Sequence, residues 1–170
     1  MIIFDSSTLI LLARTEILEA FIGNYRGRLF IPNRVKEEVL DKRCEENLQI
    51  ASIIRDGNIE VLSVFDRRLP QRLMDDFSID IGEAEAITLA LEKDAAAVAT
   101  DDRNAIRACK LLKIDFITAI SILIRAAEKK IIGKDEAFVK LEKLQSIGRY
   151  KKSIIEDARL RIKGGCPECP

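Results

Sequence analysis

The chain has 170 residues, which suits one domain that can bury a core of its own. It contains 28 Lys and Arg residues and 28 Asp and Glu residues, so the formal net charge is zero and any phosphate-binding surface must be a local patch. Histidine is absent, which excludes mechanisms with a histidine general base and metal sites with histidine ligands.

Five short apolar runs predict β-strands. They lie at residues 1–5, 28–31, 59–64, 95–100 and 114–117. The runs are apolar throughout, as expected for strands that are covered on both faces of a sheet. Because helical patterns separate them, the sequence predicts an α/β fold with a parallel sheet.

Helical periodicity fills the intervals between the strands and continues after the last one. The predicted helices are 8–22, 33–41, 45–55, 82–93, 103–112, 118–130, 134–145 and 150–163, with a short helix or a loop at 66–76. We expect a single domain over 1–163 and a flexible tail over 164–170. No apolar run approaches the roughly 18 residues that span a membrane, and the N-terminus has no signal-peptide pattern, so we expect a cytoplasmic protein.

Two of the four cysteines stand close together near the C-terminus. Cys166 and Cys169 form the sequence CPECP. One C-x-x-C pair is half of a four-cysteine zinc site, so a zinc shared between subunits or a redox role stays open beside a disordered tail. Cys44 and Cys109 stand singly in helical patterns, where we expect inert packing.

Acidic residues follow two of the predicted strands. Asp5 ends the first strand, and Asp101 and Asp102 follow the strand AAAVAT. In open α/β sheets, ligands bind at the carboxyl ends of the strands, near the point where the strand order reverses. We therefore expect these acids to meet at one place.

The predicted helix at 33–41 turns one glutamate towards the interior. Val35, Val39 and Leu40 define its buried face. With about 100° of rotation per residue, Glu38 lies at the border of that face and Glu37 points further outward.

The predicted helix at 82–93 offers a second glutamate. Ala84, Ile87 and Leu91 mark its buried stripe, and Glu83 lies closer to that stripe than Glu85 does. Glu83 also falls in the first turn, where the helix dipole favours a negative charge. One glutamate of each helix therefore leans towards the expected cleft.

Three or four carboxylates that converge without histidine cannot all stay ionised unless a cation joins them. Oxygen-only ligands suit Mg²⁺ or Mn²⁺. Such an ion activates water and neutralises charge on a phosphoryl group, which indicates a metal-dependent phosphodiesterase. Arg103 and Arg107, and the run DRRLPQR at 66–72, can contact substrate phosphates or can be solvated surface.

Each acid also has a purely structural explanation. Asp5 with the following Ser-Ser-Thr can cap a helix, and Asp101 with Asp102 can form a turn and a helix cap. Glu83 can serve only the helix dipole, and Glu38 can be a surface residue. The coincidence of all of them at one predicted cleft favours the functional interpretation.

Four stretches of the chain carry a family resemblance: IIFDSSTLI at the start, IPNRVKEEV at 31–39, GEAEAITLALE at 82–92 and VATDDRNAIRAC at 98–109. Their order and spacing resemble the compact prokaryotic PIN-domain proteins related to VapC toxins. The resemblance covers roughly residues 1–125.

The resemblance implies a three-layer α/β/α fold with a parallel sheet of about five strands, and a Mg²⁺- or Mn²⁺-dependent ribonuclease. Glu83 stands where many relatives have aspartate, which leaves open whether one or two metal ions bind. The residues carried over from the family are the catalytic acids Asp5, Glu38, Glu83 and Asp102, the metal ligands Asp5, Glu83, Asp102 and Asp101, and the supporting hydroxyls Ser7 and Thr100.

The resemblance also implies an RNA substrate, a homodimer and, for the VapC-like members, inhibition by a small antitoxin protein. Two other functions stay open. One is a catalytically weak module of the same fold that binds RNA or a protein. The other is an aspartyl phosphatase, which the sequence disfavours because Asp5-Ser6-Ser7-Thr8 lacks the second aspartate of a D-x-D-x-T pattern.

Overall fold

Residues 1–41 and 45–164 are described by the structure, a computed structural model. Cys44, Cys166 and Cys169 lie outside the described residues, so the hypotheses about a shared zinc, a redox role and inert packing at Cys44 stay predictions. The expected flexible tail also lies outside them, apart from Gly164. Cys109 is buried, as predicted.

Five parallel strands form one sheet within the described residues. Their order across the sheet is β3-β2-β1-β4-β5. All five predicted strands are confirmed, with bounds that differ by a few residues. The strands are β1 (Ile2–Phe4), β2 (Leu29–Pro32), β3 (Glu60–Leu62), β4 (Ala97–Ala99) and β5 (Phe116–Ile117).

Helices occupy most of the remaining described chain. The segment at 66–76, predicted as a short helix or a loop, contains all of α5 except its last residue. The helices are α1 (Ser6–Arg14), α2 (Leu18–Asn24), α3 (Asn33–Asp41), α4 (Glu45–Arg55), α5 (Leu69–Phe77), α6 (Ile81–Lys93), α7 (Arg103–Leu112), α8 (Ala119–Glu128), α9 (Lys134–Ile147) and α10 (Lys152–Lys163).

The prediction of one helix over 8–22 is wrong, because the chain breaks between α1 and α2 at Glu16, whose φ is 57°. The Thr15 hydroxyl donates to the carbonyl of Leu11 at 2.7 Å and closes the end of α1. Nζ of Lys140 donates to the carbonyls of Thr15 and Glu16, each at 3.2 Å. A lysine from α9 therefore satisfies carbonyl groups that the helix end leaves without an intrahelical partner.

β1 lies at the centre of the sheet, where the direction of strand addition reverses. From β1 the chain builds outward to β2 and β3, and then returns to place β4 and β5 on the other side. Phe4 is in register with Ala99, and the Asp5 N–H donates to the Ala99 carbonyl at 3.0 Å. The carboxyl ends of β1 and β4 therefore adjoin at the topological switch point, as the sequence predicts.

Apolar side chains of the sheet and of α6 form the core beneath this switch point. Ile3 and Val98 belong to the same buried cluster as Ile87, and none of the three is more than 1% exposed. The predictions that Leu40 and Leu91 are buried are wrong, because they are 46% and 42% exposed. On α6, buried alanines take up much of the inner face, and their small side chains let the helix lie close to the sheet.

The chain divides into two compact units. One comprises Met1–Ile10 and Arg26–Thr118 and contains the whole sheet, and the other comprises Leu11–Tyr25 and the chain from Ala119 onward. In the second unit, α8, α9 and α10 pack against one another and α2 contacts α8. A single domain over 1–163 stays a prediction.

None of the described helices combines the length and apolar character needed to cross a membrane.

Replacing Lys140 by methionine tests what stabilises the break at Glu16. The change keeps most of the side-chain volume but removes both hydrogen bonds, so we expect the free energy of unfolding to fall by about 1–3 kcal/mol. Denaturant unfolding followed by circular dichroism measures this loss. Lys143→Met is the matched control, because Lys143 also reaches Glu16 but is 46% exposed, and its loss should stay below about 1 kcal/mol. Equal losses in the two variants would contradict the prediction.

Candidate functional site

Asp5 directly follows β1 and is only 1% exposed. Its Oδ1 accepts the backbone N–H of Thr8 at 2.7 Å, and its Oδ2 accepts the Ser7 hydroxyl at 3.1 Å. The first bond is the one that an N-cap residue makes, because Thr8 is the third residue of α1. The cap considered in the sequence analysis is therefore present, and Asp5 itself provides it.

Burial raises the pKa of Asp5 from 3.8 to about 6. Hydrogen bonds from the Thr100 side chain and the Thr8 backbone favour the ionised form and lower the pKa, while the negative charge of Asp101 raises it. The increase in pKa caused by burial is larger than the decrease caused by the hydrogen bonds. Asp5 is thus an acid whose ionised form is disfavoured unless a positive charge joins it.

Thr100, Asp101 and Asp102 follow β4 and adjoin Asp5. Thr100 is fully buried; its side chain is hydrogen-bonded to Asp5, and its Oγ1 accepts the Asp102 N–H at 3.3 Å. The Thr8 hydroxyl donates to Oδ2 of Asp101 at 2.9 Å. These bonds tie the ends of β1 and β4 together, so the prediction that Asp5 and the two acids after β4 meet at one place is confirmed.

Asp102 is also the N-cap of α7. Its Oδ1 accepts the N–H groups of Asn104 and Ala105 at 2.7 and 2.9 Å. The cap and turn that the sequence left open as an alternative are therefore present. Among the described residues, Oδ2 of Asp102 accepts no hydrogen bond, so one carboxylate oxygen is left for a ligand.

Glu83 lies in the first turn of α6 and forms a reciprocal cap with Asp80. The Glu83 N–H donates to Asp80 Oδ1 at 2.8 Å, and the Asp80 N–H donates to Glu83 Oε2 at 3.0 Å. Burial, and after it the charges of Asp80, Asp102 and Asp5, outweigh this hydrogen bond and raise the pKa of Glu83 from 4.5 to about 8. Glu83 therefore lies within electrostatic reach of both strand-end acids.

Glu38 comes from α3, and its side chain is 28% exposed, against 66% for Glu37. This confirms that Glu38 is the inward member of the pair. Its Oε2 accepts the Ser6 hydroxyl at 2.8 Å, and its Oε1 lies 3.5 Å from Nε of Arg34. Burial raises the pKa of Glu38 above its usual value, and nearby negative charges, first that of Asp80, add to the effect.

Gly82 makes room for the Glu38 carboxylate. A Cβ at position 82 would lie 3.0 Å from Glu38 Oε2 and 3.1 Å from Oε1, closer than carbon and oxygen normally approach. Glycine therefore lets α3 bring an acid against the start of α6.

Arg103 and Arg107 lie on the exposed face of α7. Neither has a hydrogen-bond or ion-pair partner among the described residues.

The sequence did not predict Asp80 or the separate contacts of Ser6 and Thr8. The spacing of Asp80 and Glu83 is that of a capping box and could have revealed Asp80, but no pattern separates the roles of three successive hydroxyl residues.

The donor set suits a hard divalent cation, because Asp5, Glu83, Asp101 and Asp102 offer only oxygen and the pKa values of Asp5 and Glu83 are raised in part by neighbouring negative charges. A cation would relieve that repulsion. In the described part of the chain, however, no three acidic or cysteine side chains form a group that could hold a metal ion. The chemistry of the donors therefore fits Mg²⁺ or Mn²⁺, whereas the arrangement of their side chains in this structure does not form a metal-binding group.

A comparison with protein-family models matches residues 1–163 to a family described as a PIN domain. No match was found among curated proteins. The chain belongs to the PIN-domain family, and its fold is the three-layer α/β/α class with a five-stranded parallel sheet. PIN domains are generally nucleases and typically use divalent metal ions.

Asp5→Asn tests how much the buried charge of Asp5 lowers the free energy of unfolding of the metal-free protein. The pKa of Asp5 is about 6 in the folded protein, whereas its ordinary value is 3.8, so the folded protein binds this proton more tightly than the unfolded chain does. The free energy of unfolding therefore falls as the pH rises from about 4 to 6. Asparagine carries no charge, so above pH 6 the variant should be more stable than wild type by up to about 3 kcal/mol. Denaturant unfolding in chelator at pH 4, 6 and 8 measures the difference.

Asp157→Asn is the control for this experiment, because Asp157 is exposed on α10. It should change stability little and equally at all three pH values. An Asp5→Asn variant that is less stable than wild type at pH 8 would show that the hydrogen bonds of Asp5 outweigh its burial.

Proposed function

We propose that this PIN domain is a metal-dependent endoribonuclease that hydrolyses phosphodiester bonds of RNA. The observation that carries the proposal is the junction of Asp5, Asp101 and Asp102 at the topological switch point, with Glu83 in electrostatic reach. Burial and neighbouring negative charges raise the pKa of Asp5 and of Glu83, and such raised values are typical of sites that work with a cation.

Asp5, Glu83 and Asp102 would hold Mg²⁺ or Mn²⁺, with Asp101 as a further oxygen donor. The ion, when bound, supplies an activated water and neutralises the charge that develops on the phosphoryl group. Ser7 and Thr100 contribute through the hydrogen bonds that fix the Asp5 carboxylate.

Glu83 also carries a proton that matters for binding. With a pKa of about 8, it is largely protonated at neutral pH in the metal-free protein. It must lose this proton to act as a ligand, so metal binding should release protons and strengthen as pH rises. Glu38 would orient the attacking water, and the support for this role is the hydrogen bond from Ser6, the residue after Asp5, to its carboxylate.

The choice of RNA, the homodimer, the antitoxin partner and the cytoplasmic location extend this proposal. Their support is the resemblance of the four sequence motifs to VapC-like proteins. Arg103 and Arg107 support a polyanionic substrate, because both side chains are exposed on the helix that Asp102 caps.

A second candidate is a PIN domain that binds RNA or a protein with little catalysis. It is favoured by the arrangement of the described acids, no three of which are grouped for a metal ion. Glu83 also favours this candidate, because its side chain is longer than the aspartate that is common at this position in relatives. This candidate predicts tight binding without metal-dependent cleavage.

Cleavage of RNA by wild type and by Asp5→Asn tests the first candidate. We expect wild type to cleave single-stranded RNA with Mg²⁺ or Mn²⁺, to stop in excess chelator, and to lose at least about 100-fold in rate with asparagine at position 5. Gel analysis of end-labelled RNA measures the rates, and Asp157→Asn is the control. Cleavage that persists in both chelator and the variant would exclude the proposed mechanism, whereas tight binding without cleavage would favour the second candidate.

Glu38→Gln tests the role given to the α3 acid. Glutamine can still accept the Ser6 hydrogen bond but is a far weaker base, so we expect kcat to fall about 10- to 100-fold with a smaller change in KM. Glu37→Gln removes one negative charge from the next position on the same helix and should change kcat by no more than about twofold. Equal effects at the two positions would assign Glu38 to surface charge instead of catalysis.

A further inference from the structure

A cavity of about 360 Å³ opens where the starts of α3, α5 and α6 meet the segment that follows β3. Its size lies in the range of about 300–1,000 Å³ typical of small-molecule sites. Every residue that lines it belongs to the unit that contains the sheet. The cavity is separate from the carboxylates assigned above.

The cavity borders the acidic site across the first turns of α6. Glu85 forms part of its wall, accepts the Arg34 N–H at 3.2 Å, and raises the pKa of Glu38 by its charge. Ile81, also in the wall, precedes Gly82, against which the Glu38 carboxylate lies. A polymer bound at the acids could therefore place its next unit in the cavity.

The cavity has an apolar side and a polar side. Val64, Pro70 and Ile81 offer a surface for a flat apolar group. Asn33 and Ser63 also line it, and the Asn33 amide donates to the Ser63 hydroxyl oxygen at 2.7 Å. That bond leaves the Asn33 carbonyl oxygen as an acceptor and the Ser63 hydroxyl proton as a donor towards a ligand.

The cavity also carries one charge of each sign. Arg67 is exposed and has no ion-pair or hydrogen-bond partner among the described residues, so its guanidinium is available to a phosphate. On Glu85, the Arg34 N–H occupies Oε2, which leaves Oε1 for an N–H donor. The run DRRLPQR thus contributes one arginine to a built cavity and leaves its neighbour Arg68 outside the cavity lining.

We propose that this cavity receives one unpaired nucleotide of the RNA chain, adjacent to the bond that is cleaved. The base lies against Val64, Pro70 and Ile81 and is read along its edge by Asn33, Ser63 and Glu85, while Arg67 holds a phosphate. A base that fills the cavity cannot remain in a duplex, so the substrate is single-stranded. This inference rests on the proposed function and deepens it by naming the residues that hold the nucleotide beside the cleaved bond.

Binding in excess chelator tests the site without relying on cleavage. The probes are the four ribonucleoside 5′-monophosphates and one ten-nucleotide RNA, added to the full chain as a single strand or as a duplex. We expect the monophosphates to shift the amide signals of Ser63, Val64 and Ile81 in NMR spectra, and the single strand to bind more tightly than the duplex. Absence of these shifts, or equal binding of strand and duplex, would overturn the proposal.

Arg67→Gln and Arg68→Gln form a matched pair, since each removes one positive charge from the same loop. We expect Arg67→Gln to weaken binding of the single strand about tenfold and Arg68→Gln to weaken it much less. Equal weakening would indicate general attraction to a polyanion and overturn the assignment of Arg67.

Asn33→Ala tests whether Asn33 reads the base, because a purely structural role would not affect the base preference of cleavage. Mapping of cleavage ends on RNA with randomised sequence should show a base preference at one position beside the cut, and the variant should reduce it. Nucleotide binding at the cavity without any metal-dependent cleavage would leave the cavity assigned and remove the nuclease proposal. Cleavage with unchanged base preference in Asn33→Ala would remove the cavity assignment alone.

Discussion

The buried carboxylate of Asp5 is the constraint on which the rest of the site depends. It follows the central strand of the sheet, its backbone is fixed by the hydrogen bond to Ala99, and its side chain is buried. Hydrogen-bond donors from Ser7, Thr8 and Thr100 surround it, yet burial still raises its pKa from 3.8 to about 6. The protein can satisfy this group by keeping a proton on it or by binding a cation.

The neighbouring acids gain their positions by starting helices. Asp5 caps α1, Asp102 caps α7, and Glu83 shares the cap of α6 with Asp80. Three helix N-termini, each with a partial positive charge, are therefore directed at a group of negative charges. The same bonds that begin the helices restrict the rotamers of the acids, so folding and site geometry are specified together.

The sheet and the four acidic positions could be predicted because local patterns encode them. Apolar runs mark the strands, and an acid after a strand marks its carboxyl end. The break at Glu16 could not be predicted, since Lys140, which stabilises it, comes from another helix far along the chain. Which arginine of DRRLPQR faces a cavity was equally hidden, because the cavity exists only once α3, α5 and α6 have come together.

Gly82 shows how the site limits the stability of the fold. It is the second residue of α6, where alanine would favour the helix by up to about 1 kcal/mol. Alanine would also push its methyl group against the Glu38 carboxylate. The glycine therefore gives up helix propensity in the first turn of α6 and in return leaves space for the carboxylate of Glu38, so this position relates the stability of one helix to the location of an acid on another.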